Sequence, residues 1–388
     1  MTFHNKPVMP KGFHCASILC GIKEEGRDLS LFLSDAPASA AGVFTRNQFP
    51  GAPVIAGREI IRKGQLRAVV VNSRVSNVGT GQQGIDNAYR MARAVAKEFQ
   101  LPEDDVIMSS TGVIGRQLPI EKIEAGIEKI GAHLCDDPLV GAEGIMTTDT
   151  YPKAISMDVG GATLTVIGKG SGMIEPNMAT MLVYIFTDAT ITAAPLDKML
   201  REAVKDSFNM LSVDSDTSTS DTCIAMANGL AGEVDHELFG EALKKACTEM
   251  TKLLARDGEG ATKLLTATVS QAKTEGEARF IAKALINSPL IKTMAYGADP
   301  NIGRILMAVG KCTECHVAPE KIAITINGTL VYQDENRVNF DEDKVRSLLS
   351  GEHVEIVVSM GVGEAGATAY GCDLTEGYIE ENAAYYSS

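Results

Sequence analysis

The stretch Lys169-Gly-Ser-Gly-Met-Ile-Glu-Pro-Asn-Met-Ala179-Thr180-Met-Leu-Val-Tyr184 joins a glycine-rich approach and a proline to a threonine set directly before an apolar run. The run reads as a strand, and β-branched residues suit strands, so Thr180 fits the first position of a buried strand. It also fits a chemical role. A hydroxyl is a weak nucleophile without a base beside it, and a threonine at a chain's N-terminus has one in its own α-amine. That amine titrates near pH 7.7–8.0, close to working pH. Freeing it requires a cut before Thr180, and the small Ala179 leaves its carbonyl open to attack. The residues alone leave both readings open.

Outward from this point, apolar alternation or β-branched runs predict strands over 29–33, 68–72, 163–167, 181–187, 321–326 and 354–359. Helical spacing predicts helices over 85–99, 120–130, 196–208, 236–254 and 275–287. The class is therefore mixed α and β, without the strict alternation of a doubly wound sheet. Glycine and polar residues gather at 168–172 and 214–222, the loops in which to look for chemistry. No repeat and no long Pro-, Gly- or Ser-rich linker separates modules. At about 150 residues per domain, the 388 residues predict two or three closely packed domains.

Composition narrows the function. Hydrophobic residues make up 45% and charged residues 22%, as in a soluble globular protein. The formal charge of −14, with no Lys/Arg-rich run, disfavours nucleic acid and anionic membranes as partners. No apolar stretch reaches signal-peptide or membrane-spanning length, so a cytoplasmic enzyme is expected, with its eight cysteines as reduced thiols.

Three motifs are set aside on their context. Cys312-Thr-Glu-Cys315-His316 has the spacing for haem attachment but no export signal, so two cysteines in a surface turn are expected and no metal. Gly361-Val-Gly363-Glu-Ala-Gly366 has only 22 residues after it, too few for a dinucleotide-binding unit, and reads as a tight turn. Asp214-Ser-Asp216-Thr-Ser218 starts like a calcium loop, but Thr219 and Ala225 stand where glycine and glutamate are needed; capping near a site remains open.

The segment GKGSGMIEPNMATMLVYIFTDA resembles the cleavage-site signature of the ornithine acetyltransferase (glutamate N-acetyltransferase) family. Further matching pieces, in order, are AAGVFTRN, SSTGVIGRQLP, MTTDTYPK, DTSTSDT, DGEGATKL, NSPLIKT, GADPNIGRI and CDLTEGYIEEN. The resemblance runs from Gly12 to the C-terminus. It implies a layered N-terminal-nucleophile fold of the aminopeptidase/ornithine-acetyltransferase kind with a smaller C-terminal α/β domain. It also implies a precursor that cuts itself between Ala179 and Thr180. The α chain, 1–179, and the start of the β chain, 180–280, would form the nucleophile domain, with 281–388 as the C-terminal domain. The α and β chains would stay together and pair into a heterotetramer.

The implied reaction is a ping-pong exchange in arginine biosynthesis. Thr180 takes the acetyl group from N-acetylornithine and passes it to glutamate. No cofactor is implied; family members differ in whether acetyl-CoA also serves as donor. Both attacks by Thr180 create an oxyanion, and the resemblance supplies Thr111 and Gly112 as its donors. Two amino-acid substrates sharing one site need a fixed cation for their common carboxylate, and Lys169 is the natural choice. Thr147, Glu259, Asn382 and Ser387 carry over as substrate-contacting residues.

The chain departs from the family pattern at three places. Arg74-Val-Ser-Asn-Val-Gly-Thr-Gly81 replaces the usual GNANACTG, Ile302 replaces a tryptophan, and Tyr386 stands where arginine is usual. The nucleophile, the oxyanion donors and Lys169 are intact. Two other readings are an N-terminal-nucleophile amidohydrolase or aminopeptidase, in which water takes the acyl group, and an uncleaved, non-catalytic homologue. Lys169, Glu259 and Asn382 favour transfer over hydrolysis.

Overall fold

The computed structural model describes residues 1–175 and 181–383. They form two compact units, one of residues 1–170, 181–209 and 217–250, the other of residues 171–175, 210–216 and 251–383. The expected boundary at 280/281 falls within the helix Glu275–Ile286 of the second unit.

In the first unit, nine strands among the described residues form one sheet. Its order is Thr2–Phe3, Lys153–Val159, Ala162–Lys169, Leu182–Thr190, Thr222–Glu233, Leu29–Phe44, Gln65–Asn72 and Val106–Ser110, with Phe13–Ile18 paired to the first half of Leu29–Phe44. Two neighbouring pairs run parallel, Gln65–Asn72 with Val106–Ser110 and Leu182–Thr190 with Thr222–Glu233. Both faces are covered, which explains the unbroken apolar run Ala68-Val-Val-Val71. Ala68 and Val70 pack with Met91, Val95, Ile123 and Ile127 of two helices, while Val69 and Val71 face Phe32, Tyr184 and Phe186.

The strand Leu182–Thr190 lies at the centre of this sheet and is buried through Ala189. Its Phe186 ring sits 5.1 Å from Phe13 and 5.3 Å from Phe32. Burying each such ring contributes about 1.5–3 kcal/mol. Leu182 pairs with Lys169 on one side and Thr222 on the other, and Thr222–Glu233 in turn pairs with Leu29–Phe44. The two strands that follow residue 180 therefore lie side by side in the sheet, flanked on both sides by strands from before it.

The second unit holds a six-stranded sheet, ordered Asn336–Arg337, Thr329–Gln333, Ala323–Ile326, His353–Ser359, Leu264–Ala272 and Ala365–Cys372. Helix Glu275–Ile286 packs on Leu264–Ala272 and Ala365–Cys372, burying Ala278, Ile281, Ala282, Leu285 and Ile286, a single helical stripe. Thr274 caps it, accepting the Glu277 N–H at 3.2 Å. No helix among the described residues is long and apolar enough to cross a membrane.

Three details differ from or sharpen the sequence reading. The strand expected from 321 begins at Ala323, because Pro319 opens a short 3-10 turn over Pro319–Lys321. Gly361 and Gly363 lie in the turn between the strands His353–Ser359 and Ala365–Cys372, with Gly361 at φ +64°, and Gly366 belongs to the second strand. Cys312 and Cys315 bracket the expected surface turn, the Cys315 N–H donating to the Cys312 carbonyl at 3.0 Å across exposed Thr313 and Glu314; the Cys312 side chain is buried and donates to the Ala308 carbonyl at 3.3 Å, while Cys315 is partly exposed.

Candidate functional site

The parallel strands Gln65–Asn72 and Val106–Ser110 end side by side, and ligands of parallel sheets bind beyond such carboxyl ends. The two chains continue in step. Thr111 donates its N–H to the Asn72 carbonyl at 3.0 Å, and Val113 donates to the Arg74 carbonyl at 3.0 Å. Ser110 Oγ donates to Asn72 Oδ1 at 2.6 Å, and Asn72 Nδ2 donates to the Val75 carbonyl at 2.8 Å, locking the turn.

Gly112 sits at φ +124° directly against the Arg74 peptide. A Cβ added there would lie 2.2 Å from the Arg74 carbonyl carbon, so this close approach admits only glycine. The amide of Gly112 has no acceptor among the described residues. Thr111 beside it is buried. Arg74 itself adopts φ +78°, a left-handed conformation that costs an ordinary residue about 1–2 kcal/mol.

A second group forms around Asp149, whose side chain is fully buried. Lys153 donates to Asp149 Oδ1 at 2.8 Å, as does the Gly170 N–H at 2.7 Å, while the Thr147 N–H donates to Oδ2 at 3.1 Å. Lys169 Nζ lies 4.0 Å from Oδ2 and donates to Thr147 Oγ1 at 2.8 Å. Burial by itself would raise the Asp149 pKa. Lys169, Lys153 and the Gly170 amide outweigh that and hold it at about 2. Asp149 is thus ionised at neutral pH and fixes both Lys169 and Thr147. Sequence reading passed over it, although it is the fourth residue of the matching piece MTTDTYPK.

Lys23 connects the two groups electrically. Its ammonium donates to the Met146 carbonyl at 2.9 Å and the Arg27 carbonyl at 3.1 Å. Its pKa is lowered first by burial; Asp28 and Asp149 pull it up, and Lys169 and Arg74 push it down.

In the second unit, the loop after helix His236–Arg256 carries Glu259, whose N–H donates to the Ser171 carbonyl at 3.0 Å. Asn382 Nδ2 donates to Glu259 Oε2 at 2.7 Å and to the Tyr378 carbonyl at 2.9 Å. The C-terminal helix Glu376–Ala383 is therefore docked, not frayed. Thr375 Oγ1 ties its start to the Gly260 carbonyl at 2.6 Å, and a Cβ on Gly260 would lie 2.3 Å from the Tyr378 nitrogen. The Tyr378 phenol is pushed up to about 12 by burial, then by Asp214, Glu259 and Asp216. The carboxylate of Asp214 caps backbone in this unit, accepting the N–H groups of Met173 at 2.6 Å and Ile174 at 2.8 Å.

Of the residues singled out in the sequence, Thr147 with Lys169, Thr111 with Gly112, and Glu259 with Asn382 are neighbours. Ala179, Thr180, Tyr386 and Ser387 lie outside the described residues.

Comparison with known proteins agrees along the chain. The ArgJ family matches residues 14–387. A Nostoc protein named arginine biosynthesis bifunctional protein ArgJ 2 is 44% identical over 97% of each chain. A Streptomyces clavuligerus protein named glutamate N-acetyltransferase Oat2 is 42% identical over 98% of each. The crystal structure of the arginine biosynthesis bifunctional protein argJ from Bacillus halodurans is 38% identical, with a TM-score of 0.50, and its chain is covered over 98% of its length by 52% of this one.

Proposed function

Because the chain belongs to the ArgJ family, we propose that it is a glutamate N-acetyltransferase that carries acetyl groups from N-acetylornithine to glutamate on Thr180. In the maturation step, Thr180 Oγ attacks the Ala179 carbonyl, its nitrogen leaves as a free amine, and water hydrolyses the ester. In the transfer step, Oγ attacks the acetyl carbonyl of N-acetylornithine. Its proton passes through the new α-amine to the departing ornithine nitrogen. The glutamate amine then attacks the acetyl-threonine ester and restores the hydroxyl.

The Gly112 amide, without an acceptor among the described residues, and the Thr111 hydroxyl serve as oxyanion donors. A donor of this kind is worth about 2.7–4 kcal/mol at the transition state. Glu259, held by Asn382, supplies polar selectivity. The observation that carries the reading is the fixed cation. Lys169 is held by Thr147 and Asp149 at the end of a strand whose register partner, Leu182, is two residues after Thr180. Donor and acceptor share an α-carboxylate, and a buried, pre-aimed ammonium meets that common requirement.

Two features support the cut. The two strands after residue 180 are flanked on both sides by strands from before it, so cleavage would leave both chains bound through buried strands. The Bacillus chain is matched over nearly its full length by about half of this one, as expected for a relative divided at the corresponding peptide. The test is Thr180→Ala, assayed for chain cleavage and for acetyl transfer from N-acetylornithine to glutamate. Loss of both is expected; transfer by the variant would overturn the mechanism.

A further inference from the structure

We propose that Cys15 and Cys135 form an oxidation site, at which a peroxide acts on Cys135 and Cys15 then closes an intramolecular disulfide that a dithiol reopens. The site stands independently of the acetyl-transfer reading, because its test reads thiols and stability.

The two cysteines face each other across a backbone pair. Cys15 lies in the strand Phe13–Ile18, and Cys135 lies shortly before the helix Pro138–Glu143. The Cys15 N–H donates to the Cys135 carbonyl at 2.9 Å, and the Cys135 N–H donates to the Cys15 carbonyl at 2.8 Å, which makes an antiparallel bridge. Residues that exchange both bonds in this way stand about 5.5 Å apart at Cα. A disulfide needs about 4.4–6.8 Å. The side chains also share one side. Cys15 Sγ donates to the Asp137 carbonyl at 3.0 Å and Cys135 Sγ lies 4.0 Å from the same oxygen, and both pack in the cluster that holds Phe13 and Phe32. One residue along each segment, His14 Nδ1 and Asp136 Oδ1 are 2.7 Å apart, a second link that keeps the two segments in this register.

The surroundings set the order of events. Cys135 is partly exposed, whereas Cys15 is buried. Burial, and after it the neighbouring Cys135, pushes the Cys15 thiol up, so Cys15 is not the sulfur that first meets an oxidant. The Cys135 sulfur attacks the peroxide oxygen, the O–O bond breaks, and a sulfenic acid and one water result. The Cys15 sulfur then attacks the sulfenic sulfur. The S–S bond forms, the S–O bond breaks, and the hydroxyl leaves with the Cys15 proton as a second water. Among the described residues no group of three or more His, Cys, Asp or Glu side chains is placed to hold a metal ion, which favours redox chemistry over ligation for this pair. The bridge would close a loop of about 120 residues and so restrict the unfolded chain. It would also fix the approach to Asp137, whose carboxylate caps the helix Pro138–Glu143 by accepting the Leu139 N–H at 3.0 Å.

The experiment treats the purified protein with hydrogen peroxide, alkylates the remaining thiols and maps its peptides without reduction. One cross-linked pair joining Cys15 to Cys135 is expected, with alkylation lost at both. The thermal midpoint should rise by several degrees over that of the reduced protein, and dithiothreitol should reverse both changes. Cys135→Ser, at a partly exposed position, should lose the cross-link and the shift. In Cys15→Ala the Cys135 sulfenic acid should persist and be captured by dimedone; if that variant does not fold, the map of the unaltered protein and Cys135→Ser still decide. Recovery of Cys15 and Cys135 as separate thiols, or of Cys135 as a sulfinic acid without a cross-link, would overturn the proposal. A map that joins either cysteine to a different partner would do the same.

Discussion

Lys169 donates to Oγ1 of Thr147 at 2.8 Å, and the same ammonium stands 4.0 Å from a fully buried Asp149. The charge is therefore aimed before any substrate arrives, which avoids the entropy of ordering a long side chain on binding. Lys169→Met should lower kcat/KM for donor and acceptor alike by about tenfold to a hundredfold, the range for one hydrogen bond to a charge. Steady-state kinetics with both substrates would check this. A change confined to one of them would contradict a shared carboxylate anchor.

Asp149 links this site to acid stability. Its folded pKa of about 2 lies below the ordinary value of 3.8, so its contribution is complete above about pH 4 and is lost as pH falls toward 2. Asp149→Asn removes the carboxylate paired with buried Lys153 at 2.8 Å, a loss of about 3–5 kcal/mol at neutral pH. Urea midpoints of the two proteins should differ most at pH 7 and converge between pH 4 and 2. A constant gap would mean that another group controls the acid limb.

Gly112→Ala would set a Cβ 2.2 Å from the Arg74 backbone at φ +124°. Because backbone cannot swing aside as a side chain can, the turn must shift, at a cost of about 1–3 kcal/mol. Calorimetry should show a lower midpoint, and both chain cleavage and transfer should slow about a hundredfold or more with the displaced oxyanion donor.

Gly172→Ala tests the Glu259 loop differently. The new methyl would fall 2.1 Å from the Glu259 carboxyl carbon, the movable end of a side chain. The fold should therefore persist while the Glu259–Asn382 contact is lost. Gly172→Ala and Glu259→Gln are expected to raise KM similarly, with little further effect when combined. Additive effects would show that Gly172 acts elsewhere.

These details set the limits of what could be read from the sequence. The helix Ile120–Ile130 was legible at both ends because its apolar residues keep helical spacing after Pro119. The strands around Ala68–Asn72 and 181–187 were legible from their β-branched runs. The strand Phe13–Ile18, FHCASI, was not, since its small and polar residues alternate without a clear apolar face. The helix Ala52–Ile60 carries Pro53 and Gly57, which weaken any helical signal, and it packs through small residues instead. At the site, Thr111 and Gly112, Thr147 and Lys169, and Glu259 and Asn382 are neighbouring pairs, while Ala179, Thr180 and Ser387 lie outside the described residues. Asp149 was missed because its importance comes from complete burial among two backbone amides and two lysines, a tertiary property with no local pattern. The left-handed backbone of Arg74 was equally invisible before its carbonyl and peptide were seen against residues 112–113.

The central claim is that Thr180 becomes a chain terminus and then carries the acetyl group. Intact-mass spectrometry of the purified protein, before and after N-acetylornithine, tests it most directly. The account predicts two chains divided between Ala179 and Thr180, with one acetyl mass added to the fragment that begins at Thr180. A single uncleaved chain of 41.2 kDa that gains no acetyl group would contradict it.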